Sequence, residues 1–359
     1  MPGGPKLNKS AQTKSRSIDQ QLEEGREKQH DDLQLLILGG AGSGKSTFIK
    51  QLRLRHGDKF PESERKTWTI YVYENLVEAL YPILEQVTEW EDGSNAKTYS
   101  LFVEKFPRSN IGRKGSSSQE EDHSKKNVNY SKLSSLAADV LSMWRDKSVQ
   151  TIWQENIKKF GLRKTFADHF LSKLERILST NYIPDIEDIL FIRKPTASVQ
   201  EHMFTSEGNV YKVIDVAGQR SQRHKWISLF EGVTAIVFIT SLTSYSEGTY
   251  EDSSLNSLHD SLSAFGSVIT NQFLKNTNFI LLLNKKDLLG KRLADVPFSS
   301  IIENYKGRNE EADVIEYIKK EFEKRITSEK KVKFHVCSAI DTPGMKPLTE
   351  EIIQCIRKK

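Results

Sequence analysis

The spacing of apolar residues changes character twice along the chain. Residues 35–38 form a short unbroken apolar run, as expected of a strand buried on both faces, and residues 47–55 place Phe48 and Leu52 on one side of a helix. Between 62 and 90 the apolar positions Trp68, Val72, Leu76, Ala79, Leu80 and Ile83 recur every three or four residues, which predicts a long amphipathic helix. Helical spacing returns at 98–106, 130–144, 149–160 and 165–178, and no convincing strand interrupts the span. Beyond residue 185 strand patterns resume at 199–205, 210–215, 235–240, 279–284 and 333–336, separated by helical stretches at 254–270, 313–325 and 346–357. This alternation predicts an α/β fold with a mostly parallel sheet covered on both faces, and an all-helical domain inserted into it.

At 359 residues the chain is long for a single core. The expected division is an N-terminal arm and helix at 1–32, the first part of the α/β domain at 33–60, the helical domain at 61–185, and the second α/β part at 186–359. Residues 1–16 read as a flexible arm, and 17–32 as a polar helix whose apolar pair, Ile18 and Leu22, is too small to build a core. Residues 107–129 are rich in Ser, Gly, Lys and Glu and read as a mobile loop. The net charge of +5 comes from 53 basic and 48 acidic residues interspersed along the chain, so no basic stripe points to nucleic acid. Two cysteines, Cys337 and Cys355, lack metal-ligand or disulfide spacing and point to a reducing compartment. With no apolar run of membrane-span length and no signal-peptide core, a cytoplasmic protein is expected. The chain starts Met-Pro, and myristoylation needs glycine second, so N-terminal acylation is not expected.

The candidate chemistry sits where strands end. Residues 39–46, Gly-Gly-Ala-Gly-Ser-Gly-Lys-Ser, satisfy the G-x-x-x-x-G-K-[ST] phosphate loop between a strand and a helix. In that setting the backbone N–H groups around Gly42, Ser43, Gly44, Lys45 and Ser46 face the phosphates at a helix N-terminus, with Thr47 next in line. Lys45 brings charge to the outer phosphates, and Ser46 brings a hydroxyl to Mg²⁺. Asp215-Val216-Ala217-Gly218-Gln219 follows the second of the later strands: Asp215 suits water-mediated Mg²⁺ contact, Gly218 close approach to the terminal phosphate, and Gln219 orientation of a water. Asn284-Lys285-Lys286-Asp287 follows the strand at 279–284. Asp287 can accept two hydrogen bonds from guanine, a pair that adenine does not offer, while Lys285 lies along the base and Asn284 ties loops together. A third loop, Cys337-Ser338-Ala339, is placed to offer the Ala339 N–H to the guanine oxygen.

In this order the three motifs resemble those of the GTPase superfamily, and with the helical insertion the chain is similar to heterotrimeric G-protein α subunits. The resemblance is carried further by Ser17-Ile18-Asp19, by Tyr182-Ile183-Pro184 leading into Asp188-Ile189-Leu190, and by Arg220-Ser221 through Phe230-Glu231-Gly232-Val233-Thr234-Ala235. It covers nearly the whole chain and is weaker in the insertion. It implies that Arg193 is a built-in arginine finger, that Thr196 joins Ser46 on Mg²⁺, and that Leu190 lies with the nucleotide contacts. It implies too that Gly218, Arg223 and Asp260 order a second switch whose residues Arg220, Arg223, Trp226 and Phe230 meet partners. The partners so implied are a βγ dimer, effectors and GTPase-accelerating proteins, with attachment to the inner face of the plasma membrane through them.

The departures are specific. Gly42 stands where the family usually carries glutamate, Lys194-Pro195 and Ala197-Ser198 flank Thr196 with untypical residues, and Lys164-Thr165 replace an acidic residue and serine. The last helix ends early, at Lys359, which leaves receptor coupling open. The function implied is a switch that binds GTP, hydrolyses it to GDP and Pi with Mg²⁺, and changes partners. The alternative from a different class is a GTP-gated binding module with little hydrolysis.

Overall fold

A computed structural model describes residues 33–108, 128–156, 163–196, 198–206, 208–249, 251–327 and 330–357. The first strand, β1 (Leu33–Leu38), leads through the glycine loop into α1 (Lys45–His56), and Gly57 caps that helix. A helical region follows: α2 (Glu62–Leu84), α3 (Ser94–Lys105), a 3₁₀ stretch at Tyr130–Leu136, α4 (Ala137–Arg145), α5 (Lys147–Asn156), α6 (Arg163–Leu171), α7 (Leu174–Ile177) and α8 (Ile186–Phe191). The chain then returns to the sheet with β2 (Gln200–Ser206), β3 (Asn209–Asp215) and β4 (Ala235–Ser241). It finishes with α9 (Ser257–Ile269), β5 (Asn278–Asn284), α10 (Lys286–Asp295), α11 (Glu311–Glu323), β6 (Val332–Val336) and α12 (Thr342–Arg357).

The sheet order is β2-β3-β1-β4-β5-β6, with β2 antiparallel to β3 and every other pair parallel. Burial explains the sequence patterns. Side chains alternate across the sheet, so Leu35 and Ile37 face one layer while Leu36 and Leu38 face the other, and both faces must be apolar. One layer packs Phe238, Phe265, Leu281 and Phe322 beneath α9 and α11. The other packs Phe48, Val237, Ile280 and Ile352 beneath α1 and α12. Edge strand β2 has no such double burial and alternates exposed with half-buried positions.

A third core, including Leu76, Phe102, Leu133, Phe170 and Ile177, holds the helical region together. It also takes Ile189 and Ile192, so α8 packs with the helices although the division at residue 185 places it with the sheet.

The predicted strands all form. The helix expected at 62–90 stops at Leu84, with Pro82 deleting one rung of its ladder. The stretch at 130–144 splits into 3₁₀ and α turns, and that at 165–178 breaks between α6 and α7. Helix α10 was not anticipated. The arm and helix expected at 1–32, most of the loop at 107–129, the end of the stretch at 149–160, the Lys164 and Thr165 side chains, and Ala197 lie outside the described residues. Among the described residues no helix is long and apolar enough to cross a membrane.

Candidate functional site

The phosphate loop folds as it does because its backbone leaves ordinary conformational space. Gly44, which caps α1, has φ +105°, and a Cβ there would lie 2.1 Å from Asn284 Nδ2, so only glycine fits. Asn284, almost fully buried at the end of β5, donates from Nδ2 to the Ser43 carbonyl (2.8 Å) and accepts at Oδ1 from the Ala339 N–H (2.9 Å). One carboxamide therefore ties the phosphate loop to the last loop, as its position in the motif led us to expect. The Ala339 N–H, the group expected to face the guanine oxygen, is the one that Asn284 engages.

Lys45 is buried and donates to the carbonyls of Gly39 (3.0 Å) and Gly40 (2.9 Å) within its own loop. Burial pushes its ammonium down to about 8, with Asp215 opposing that fall and Arg223 adding to it. Gly218 lies directly over the loop, since a Cβ on it would come within 2.3 Å of Lys45 Nζ and 2.5 Å of the Gly39 carbonyl. Asp287 is exposed on the first turn of α10, where its N–H donates to Ser338 Oγ (3.1 Å). Lys285, at φ +65°, precedes it. Burial lowers the Lys285 ammonium, with Glu247 opposing that fall and the Arg193 charge reinforcing it.

The two hydroxyls expected on a cation and the carboxylate expected to reach it through water meet at one point. Ser46 Oγ, Thr196 Oγ1 and Asp215 Oδ2 lie 3.2 Å from one another, although they come from α1, the segment after α8, and the end of β3. Asp215 is buried, its Oδ1 has no hydrogen-bond partner, and burial holds its carboxyl above the usual range. Two hydroxyls and a carboxylate with an unsatisfied buried oxygen fit a small, hard divalent cation. Thr47 is half-buried on the first turn of α1, and Leu190 is buried on α8.

Arg193, exposed at its side chain, sits just beyond α8, with its guanidinium 5.9 Å from the centre of the Phe166 ring. Two residues that motif reading overlooked hold this segment. Asn75 on α2 accepts from the Arg193 N–H (2.7 Å) and donates to the Arg193 carbonyl (2.9 Å). Lys50 on α1 donates to the carbonyls of Ile189 (2.8 Å) and Ile192 (3.1 Å). The available clue was a polar residue in an apolar stripe, since Asn75 stands between Val72 and Ala79 at helical spacing.

The residues expected to order a second switch are packed together. Arg223 donates to the Gly218 carbonyl and grips Asp260 of α9 with both guanidinium arms, at 3.0 and 2.5 Å. Trp226 is buried and donates to the Ala217 carbonyl (3.1 Å), Phe230 is buried, and Gln219 caps the 3₁₀ turn Arg220–Leu229 that carries this group. The family model described as G-protein alpha subunit matches residues 12–356 of the chain.

Proposed function

The chain belongs to the G-protein α-subunit family and is thus a guanine-nucleotide-binding signalling subunit; from that premise we propose that it hydrolyses GTP to GDP and Pi with Mg²⁺. The observation that carries the proposal is the meeting of Ser46, Thr196 and Asp215 beside the phosphate loop, with one carboxylate oxygen left over. Ser46, Thr196 and Asp215 would hold Mg²⁺ there, and the cation would supply positive charge to the outer phosphates. Phosphoryl transfer to water asks little covalent chemistry of the protein, so the remaining work is positioning and charge. Lys45 leaves its own carbonyls for the outer phosphates, Gln219 orients the attacking water, and Arg193 meets the charge that spreads over the transferred group. Asp287 selects guanine, and Asn284 holds the loops that frame it.

Thr196 and Gly218 both stand to sense the terminal phosphate, so its loss releases the segments around them and changes the surface offered by Arg220, Arg223, Trp226 and Phe230. A βγ dimer, effectors and GTPase-accelerating proteins are the partners this reading entails, with a cytoplasmic location at the membrane face. The deciding experiment is single-turnover Pi release with Gln219→Leu, which should bind GTP normally and lose most hydrolysis. Release at the wild-type rate in the mutant would overturn the assignment of Gln219, and a wild type that binds GTP without releasing Pi would leave a GTP-gated binding module.

A further inference from the structure

Ser46 and Lys50 are four residues apart on α1 and therefore share one face of it. Ser46 meets Thr196, while Lys50, largely buried, gives two hydrogen bonds to the carbonyls of Ile189 and Ile192 at the end of α8. One helix face thus grips the segment on either side of Arg193. From α2 Asn75, 1% exposed, closes both backbone groups of Arg193 in a two-point contact with its carboxamide. We propose that Lys50 and Asn75 are positioning residues for Arg193, together forming a two-helix mount that fixes its backbone relative to the phosphate loop.

The chemistry of the contacts argues for this over simple packing. A lysine taken out of water loses hydration that an apolar residue of similar length would not miss. At the end of α8 it meets the carbonyl of Ile189, which also accepts from the Ile192 N–H (3.2 Å), and that of Ile192 just beyond the helix, both at the negative end of the helix dipole. The lysine comes from α1, the helix that begins with Lys45, so the charge on the phosphate loop and the charge on Arg193 are carried by one rigid frame. With N–H and C=O of Arg193 both held, the point from which its guanidinium reaches is fixed. A displacement of about 1 Å in such a group can cost a hundredfold in rate.

The inference rests on the reading that Arg193 serves the hydrolysis, and the test separates the two. Single-turnover Pi release and affinity for a fluorescent GDP analogue are measured for wild type, Lys50→Met, Asn75→Ala, Arg193→Ala, and each mount variant combined with Arg193→Ala. Both mount variants should release Pi roughly 10- to 100-fold more slowly with affinity changed by less than about threefold, and neither should slow the Arg193→Ala protein further. Amide exchange at Arg193 should accelerate in Asn75→Ala. Where Lys50→Met does not bind the analogue, Lys50→Gln, which keeps a donor, replaces it and should give an intermediate rate. Wild-type Pi release in the mount variants, or equal losses with and without Arg193, would overturn the positioning role. A wild-type rate in Arg193→Ala would instead refute the assignment of Arg193 itself.

Discussion

Replacing Asn284 with alanine separates the loops around the nucleotide site without touching the strand that carries it. The carboxamide is buried, with its nitrogen on the Ser43 carbonyl and its oxygen on the Ala339 N–H. Truncation leaves both backbone groups without partners. An unpaired buried polar group costs about 1–3 kcal/mol, so the two together cost about 2–6 kcal/mol. The end of β5 keeps its own bonds, Cys337 N–H to the Leu283 carbonyl (2.9 Å) and Lys286 N–H to the Cys337 carbonyl (3.1 Å), so the loss falls on the phosphate loop and the last loop. Against a total stability of about 5–15 kcal/mol the variant should still fold at the lower end of that cost. Urea unfolding of the nucleotide-free protein should show a lower midpoint at unchanged slope, and affinity for a fluorescent GDP analogue should fall by at least about tenfold, the equivalent of 1.4 kcal/mol. A stability change under about 1 kcal/mol with unchanged affinity would mean that the two groups find other partners, and the tie between the loops would then have no energetic meaning.

Asp287→Asn should lower GTP affinity by more than about tenfold and favour xanthosine nucleotides, because two hydrogen bonds to guanine become mismatched; competition titrations with GTP and XTP decide it. Gly42→Glu places the family's usual residue at φ +71°, where a Cβ meets nothing within 4 Å but the left-handed backbone costs about 1–2 kcal/mol. The ion pair it offers Arg193 is worth about 0.2–1 kcal/mol, so GDP release should slow by about fivefold at most, and stopped-flow release at the wild-type rate would rule the pair out. In the helical core, burial raises the carboxyl of Asp188, but hydrogen bonds from His169 (3.0 Å), Arg176 (2.6 Å) and Tyr182 (2.7 Å) outweigh it and hold the group below the usual range. Its stabilisation is therefore complete above the ordinary value of 3.8 and is lost as pH falls through the depressed one. Asp188→Asn should cost about 3 kcal/mol at neutral pH and flatten the acid limb of stability, which denaturation curves from pH 7 to pH 2 would show.

The strands at 35–38, 235–240 and 279–284 were legible because a strand buried on both faces must be apolar throughout, and that demand is written in consecutive residues. Helix α10 escaped notice because only Leu289 and Leu293 are buried along it, too few to mark a period among its charges. The phosphate loop and the Asn284–Asp287 motif were legible for a related reason: each is a continuous segment whose backbone path admits few residue types, as Gly44 at φ +105° shows. Contacts between distant segments leave no such mark. Asn75 and Arg193 are 118 residues apart, and Lys50 and Ile189 are 139 apart. The grip of Asn284 on Ala339 exists only once β5 and β6 pair, and the proximity of Ser46, Thr196 and Asp215 and the mount of Arg193 only once packing brings α2 and α8 against α1. Local order thus determined the elements and the loops that bend toward nucleotide, because backbone sterics and burial act on neighbours in the chain. Tertiary packing decided which side chains hold those loops, because a hydrogen bond across the fold constrains two positions without limiting the residues between them.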